Sequence, residues 1–127
     1  MPLKQTIEII PDDNELYMRV HKNHYDKGVI LTGCIKNHGG GMSTDWKKYA
    51  KSPYYTRNGC HEGKNPLDYG IIKFISRDVR EIPFQEIIHS PSYNNKAHTN
   101  IVGDKSDVEI RIKFVRIMER LIEPGEE

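Results

Sequence analysis

Residues 84–102 read FQEIIH-SPSYNNKA-HTNIV, and this stretch decides the fold. Phe84–His89 and His98–Val102 are short and rich in β-branched and aromatic side chains, and the segment between them is polar and turn-forming. Two strands joined by a polar loop are read as sequence neighbours in an antiparallel sheet. Working outward, residues 71–75 (IIKFI) predict another strand, residues 3–10 (LKQTIEII) a short one, and residues 29–35 (VILTGCI) a buried one. The chain holds 16 isoleucines and only 2 alanines, which favours a pleated, half-buried core over a helical one.

Helices are expected where capping residues precede apolar periodicity. Asp12 or Asp13 caps a helix over Asn14–Val20, with Leu16, Tyr17 and Val20 on one face. Ser43 or Thr44 caps one running to Ala50, and Ser52-Pro53 opens another. Ser76–Arg80 is read as a turn. Ser106-Asp107-Val108-Glu109 fits a capping box and opens a helix from 107 to 122, stopped by Pro124-Gly125. The order β-α-β-α-α-β-β-β-α defines an α+β fold: a small, mostly antiparallel sheet with short N-terminal helices and one longer C-terminal helix. At 127 residues the chain is read as a single domain, 1–127, with 123–127 as a frayed tail.

Composition narrows the function classes. No run approaches the ~18 apolar residues of a membrane helix, and MPLKQTIEIIPDD lacks the apolar core of a secretory signal. A cytoplasmic protein with no membrane association is expected. The formal charge is +1, from 19 basic and 18 acidic groups. Charge is uneven, however. Residues 36–64 carry Lys36, Lys47, Lys48, Lys51, Arg57 and Lys64 against Asp45 and Glu62, together with Trp46, Tyr49, Tyr54 and Tyr55. Basic residues interleaved with aromatics can track a phosphate backbone, which makes Lys47, Lys48, Lys51 and Arg57, with Lys96, candidates for weak nucleic-acid or phosphate binding. The competing reading buries Trp46 and Tyr49 and leaves the lysines on a solvated face.

His21, His24, Cys34, His38, Cys60 and His61 cluster in sequence, but without the paired spacing of a zinc site, and Cys34 falls in a segment expected to be buried. No metal or other cofactor is assigned. His89 ends one strand and His98 begins the next, so both imidazoles are expected at one loop mouth. There they could act as acid and base in phosphodiester cleavage, with Asn95, Lys96 and Thr99 as phosphate donors.

Arg19, then Ser43-Thr44, then Glu86, each near a strand edge, resembles the order used by ADP-ribosyltransferase-like folds. The resemblance implies that the arginine holds dinucleotide phosphates, the serine supports the nicotinamide ribose and the glutamate polarises the transferred ribose. Gly39-Gly40-Gly41 matches no phosphate-loop spacing. Three segments, 13–19 (DNELYMR), 42–49 (MSTDWKKY) and 95–103 (NKAHTNIVG), give the chain as a whole a second likeness. It is similar, over roughly residues 12–121, to a group of small bacterial proteins without an assigned activity. That resemblance implies one domain of bacterial or phage-related origin and singles out His98. The cysteines, His24 and the glycine triplet lie outside the shared pattern.

Three functional expectations follow. The first is an accessory or binding protein that works beside a protein partner. The second is a small metal-independent nuclease or phosphoesterase using His98 and His89. The third is an NAD-using, ADP-ribosyltransferase-like enzyme with Arg19, Ser43 and Glu86.

Overall fold

The computed structural model describes residues 6–39 and 41–127. Its scaffold is a six-stranded antiparallel sheet. The strands, in chain order, are β1 (Glu15–His21), β4 (Met42–Trp46), β5 (Tyr69–Ile75), β6 (Glu86–His89), β7 (His98–Val102) and β8 (Glu119–Ile122), and they lie side by side as β6-β7-β4-β1-β5-β8. A separate two-residue ribbon pairs β2 (Tyr25–Asp26) with β3 (Val29–Ile30). Four helices accompany the sheet: α1 (Lys47–Ala50), α2 (Pro53–Asn58), α3 (Ser76–Arg80) and α4 (Val108–Ile117). The mixed helix-and-sheet class and the antiparallel pairing agree with the sequence reading. Among the described residues no helix is long and apolar enough to cross a membrane.

Several expected elements are different. The helix over Asn14–Val20 is strand β1. Leu16, Met18 and Val20 alternate into the core, so the governing period is two. Full-length pairing with β5, from Glu15↔Ile75 to His21↔Tyr69, fixes it. Asp12 and Asp13 form a turn before the strand, and neither caps a helix. Of the expected strand 3–10, residues 3–5 lie outside the described residues and residues 6–10 form no strand. The buried strand at 29–35 is only Val29–Ile30, followed by a 3-10 turn at Thr32–Cys34. Ser43 and Thr44 belong to β4, so α1 begins at Lys47. Ser76–Arg80 is a helix, not a turn.

The C-terminal helix stops at Ile117, and Glu119–Ile122 extends to become edge strand β8 on β5. Asp107, not Ser106, caps α4, accepting from the Glu109 backbone N–H at 2.9 Å. Residues 123–127, expected to fray, are tied back. Gly125 N–H donates to the Leu67 carbonyl at 2.7 Å, and the Arg57 guanidinium donates to the Glu126 carbonyl.

The two sheet faces have different roles. On one, Leu16, Met18, Met42, Trp46, Ile72, Phe74 and Ile101 make the main core, which Val79 of α3 and Ile110 and Phe114 of α4 complete. Phe74 and Phe114 meet edge to face, with centroids 5.7 Å apart. On the other face, Ala50 of α1 packs with Tyr17, Ile71, Ala97 and Ile122 in a smaller cluster. That cluster and helix α2, which packs on β1 and β5, leave part of the second face uncovered.

Candidate functional site

The uncovered part of the second face is the floor of a cleft of about 970 Å³. Period-two alternation builds this floor. Tyr17, Arg19 and His21 emerge from β1 opposite the core residues, Ser43 and Asp45 emerge from β4, and His98 emerges from β7. Pairing of Tyr17 with Asp45 and of Asp45 with His98 places these three in one row across three strands. Ser43 lies diagonal to His98, within side-chain reach. Tyr55, Thr56 and Asn58 of α2 overhang one side. Lys36 and His38 form another wall, and the 92–95 loop a third.

Five of the six histidines line this one cleft: His21, His24, His38, His61 and His98. Arg19 and Lys36 add positive charge, and Asp45 is the one acidic side chain in the lining. Asp45 accepts from the Asn95 side-chain amide at 2.9 Å, and Asn95 in turn accepts from the Tyr55 hydroxyl at 2.7 Å and from the Ala97 backbone N–H. Arg19 Nη1 donates to the Thr56 carbonyl at 2.7 Å, which uses one of the guanidinium's five donors. Among the described residues neither Arg19 nor Lys36 has a carboxylate partner. This is an electropositive cleft with free hydrogen-bond donors.

His98 holds the most organised geometry in the cleft. Its Nδ1 lies 2.9 Å from the Ser90 carbonyl and its Nε2 lies 3.3 Å from the Ser43 hydroxyl. A carbonyl only accepts, so Nδ1 carries a proton, and in the neutral form of the ring the Nε2 lone pair faces Ser43.

The expected His89–His98 pair is not formed. His89 is paired opposite Thr99, one step out of phase with His98, so the two rings point to opposite faces of the sheet. His89 is 1% exposed, edge-on to Trp46 and stacked on Tyr49. Both of its nitrogens are occupied, one by the Glu8 backbone N–H and the other by the Lys96 carbonyl. Glu86 sits on edge strand β6 at the far end of β7 from His98, paired opposite Val102, and does not line the cleft. Arg19 and Ser43 do share it.

Half of the basic window is engaged within the protein. Lys47 binds Glu15 at 2.8 Å and Lys48 binds Glu8 at 2.6 Å. The Arg57 side chain is buried over Tyr54. Lys96 lies 4.4 Å above the Tyr49 ring, and Lys51 is exposed. Trp46 is buried, as the competing reading of that window has it.

The histidine–cysteine cluster also has a different arrangement from a ligand set. Among the described residues, no three His, Cys, Asp or Glu side chains group closely enough to hold a metal ion. Burial pushes the Cys34 thiol up to about 11, so it is neutral at ordinary pH. Burial, with Lys36 and His21 nearby, lowers the pKa of His24. Tyr17, Lys36 and Tyr55 join the site without having been singled out for it. The signal for Tyr17 was strand alternation, hidden while β1 was read as helical. No family model, curated protein or solved structure matches the chain.

Proposed function

We propose that the chain is a small phosphoesterase acting on nucleotides, with Arg19 anchoring the phosphate and His98 moving the proton. The observation that supports this most is the oriented His98 imidazole, in contact with Ser43, in a cleft that also holds Arg19 and has one, already engaged, carboxylate. Such a lining favours an anionic ligand, and two tyrosines, Tyr55 and Tyr69, offer aromatic surface for a base. The bacterial or phage-related origin and the cytoplasmic location belong to the same proposal.

The test is turnover of nucleoside phosphates and single-stranded RNA, with and without EDTA, alongside calorimetric binding. Arg19→Ala is expected to weaken binding by about 10- to 100-fold, the worth of a hydrogen bond to a charged group. His98→Ala is expected to lower turnover by about 10²- to 10⁴-fold. A protein that neither binds nor cleaves these substrates would overturn the reading. A second reading, ADP-ribosyltransferase-like NAD use, draws support from Arg19 and Ser43 lining one cleft, although Glu86 lies outside it. NAD consumption that vanishes in Arg19→Ala would favour it over phosphoester cleavage.

A further inference from the structure

The phosphoesterase reading leaves open what attacks the substrate. Two groups are available in principle: a water activated by His98, or a side chain already bonded to it. Ser43 is such a side chain. It is exposed to the cleft, it stands on a sheet strand and not on a loop, and its hydroxyl lies 3.3 Å from Nε2. The Ser90 carbonyl is the third group, holding the ring in the tautomer that can accept a proton. Nucleophile, base and orienter are the parts of a nucleophilic triad, and contacts of this length commonly shorten when substrate binds.

We propose that Ser43 is the nucleophile and becomes transiently phosphorylated, an inference that rests on the phosphoesterase reading. Ser43 Oγ forms a bond to phosphorus while its proton passes to His98 Nε2. The bond from phosphorus to the leaving oxygen breaks, and that oxygen takes the proton from His98. A water then attacks the seryl ester, gives its proton to Nε2 and releases phosphate, and the proton returns to Ser43 Oγ. Arg19, in the same cleft, faces the non-bridging oxygens throughout.

A fluorophosphonate probe tests the nucleophile without a known substrate. Attack by Ser43 forms P–O as P–F breaks, fluoride leaves, and the serine proton goes to His98. Peptide mapping of the labelled full-length protein is expected to place the adduct on Ser43, with Ser92 of the same cleft unlabelled. Labelling should be absent in Ser43→Ala and slowed by about 100-fold or more in His98→Gln. Label on Ser43 that depends on His98, in a protein that cleaves no phosphoester, would support the nucleophile and overturn the substrate reading. Cleavage retained in Ser43→Ala, with no label on the wild type, would overturn the nucleophile and leave the substrate reading standing.

Discussion

Lys105 comes from a polar stretch, GDKSD, yet it is 0% exposed. Its Nζ donates to the Ile101 carbonyl at 2.8 Å and the Gly103 carbonyl at 2.9 Å and lies 5.9 Å from the Phe114 ring centroid. Burial lowers its pKa from 10.5 to about 8, with Asp104 opposing the shift. Between those two values the unfolded chain holds a proton that the folded protein has lost. Stability attributable to this residue therefore rises as pH rises from about 8 to 10.5, by on the order of 3 kcal/mol. Below about 8 both states are protonated and the folded state bears the full cost of the buried charge. Urea unfolding across that window should show the rise in the wild type and its loss in Lys105→Met. Parallel pH curves for the two proteins would show that Lys105 does not titrate there. Composition cannot reveal such a lysine, because its burial is decided by where the end of β7 meets α4.

At the scale of elements, the legible parts were those whose local pattern and tertiary pairing agree. The strand β7 was read with its observed limits, and β6 began two residues late, because alternation and a polar loop define both. β1 was misread because Tyr17 on the cleft face is buried in an apolar cluster much as Leu16 is on the core face, which masks the period of two. β4 was misread because Ser43-Thr44-Asp45 resembles a helix cap when the neighbouring strands are unknown. β8 was missed because Leu121 continues the spacing of α4, and pairing with β5 overrides that local preference.

Glycines give the same contrast. Of the conspicuous triplet at 39–41, Gly39 and Gly41 are among the described residues, and of these two only Gly41 is constrained. Gly41 has φ +100, and a Cβ there would lie 2.8 Å from Val102 Cγ1. Gly103, an inconspicuous residue after β7, is the tighter case. At φ +134 a Cβ would lie 2.2 Å from the Phe84 carbonyl oxygen, which is backbone and cannot swing aside. Gly103→Ala is expected to cost about 3 kcal/mol or more by displacing β6 from β7, since overpacking alone costs roughly 1–3 kcal/mol. Gly39→Ala, with open space around its Cβ, should be near neutral. Thermal unfolding of the two variants checks this, and equal transitions would show that the β6–β7 junction absorbs the extra methyl.

In the whole molecule, one sheet serves two tasks on opposite faces, and β7 contributes to both. Ile101 points into the core at 0% exposure and pairs with Met42, while His98, three residues earlier, points into the cleft. The candidate site therefore joins side chains from distant segments that only the strand order β7-β4-β1 brings together, which is why no local motif announced it. Arg19, His21, Ser43 and His98 on the cleft face are exposed or half-exposed and lie outside the main apolar core, so stability and site chemistry should separate by face. Ile101→Ala is expected to cost about 2–5 kcal/mol, while ligand affinity, measured where the variant is still folded, stays unchanged. Ile101→Val, at about 0.5–1.5 kcal/mol, supplies a milder version that keeps the fold. His98→Ala removes two partly exposed contacts and should change stability by less than about 1 kcal/mol while removing turnover. Denaturant titration paired with calorimetry on the same samples reads both quantities. Ile101→Val that weakens ligand binding as much as it weakens folding would show that the two faces are mechanically coupled through β7, and that the cleft depends on core packing for its geometry.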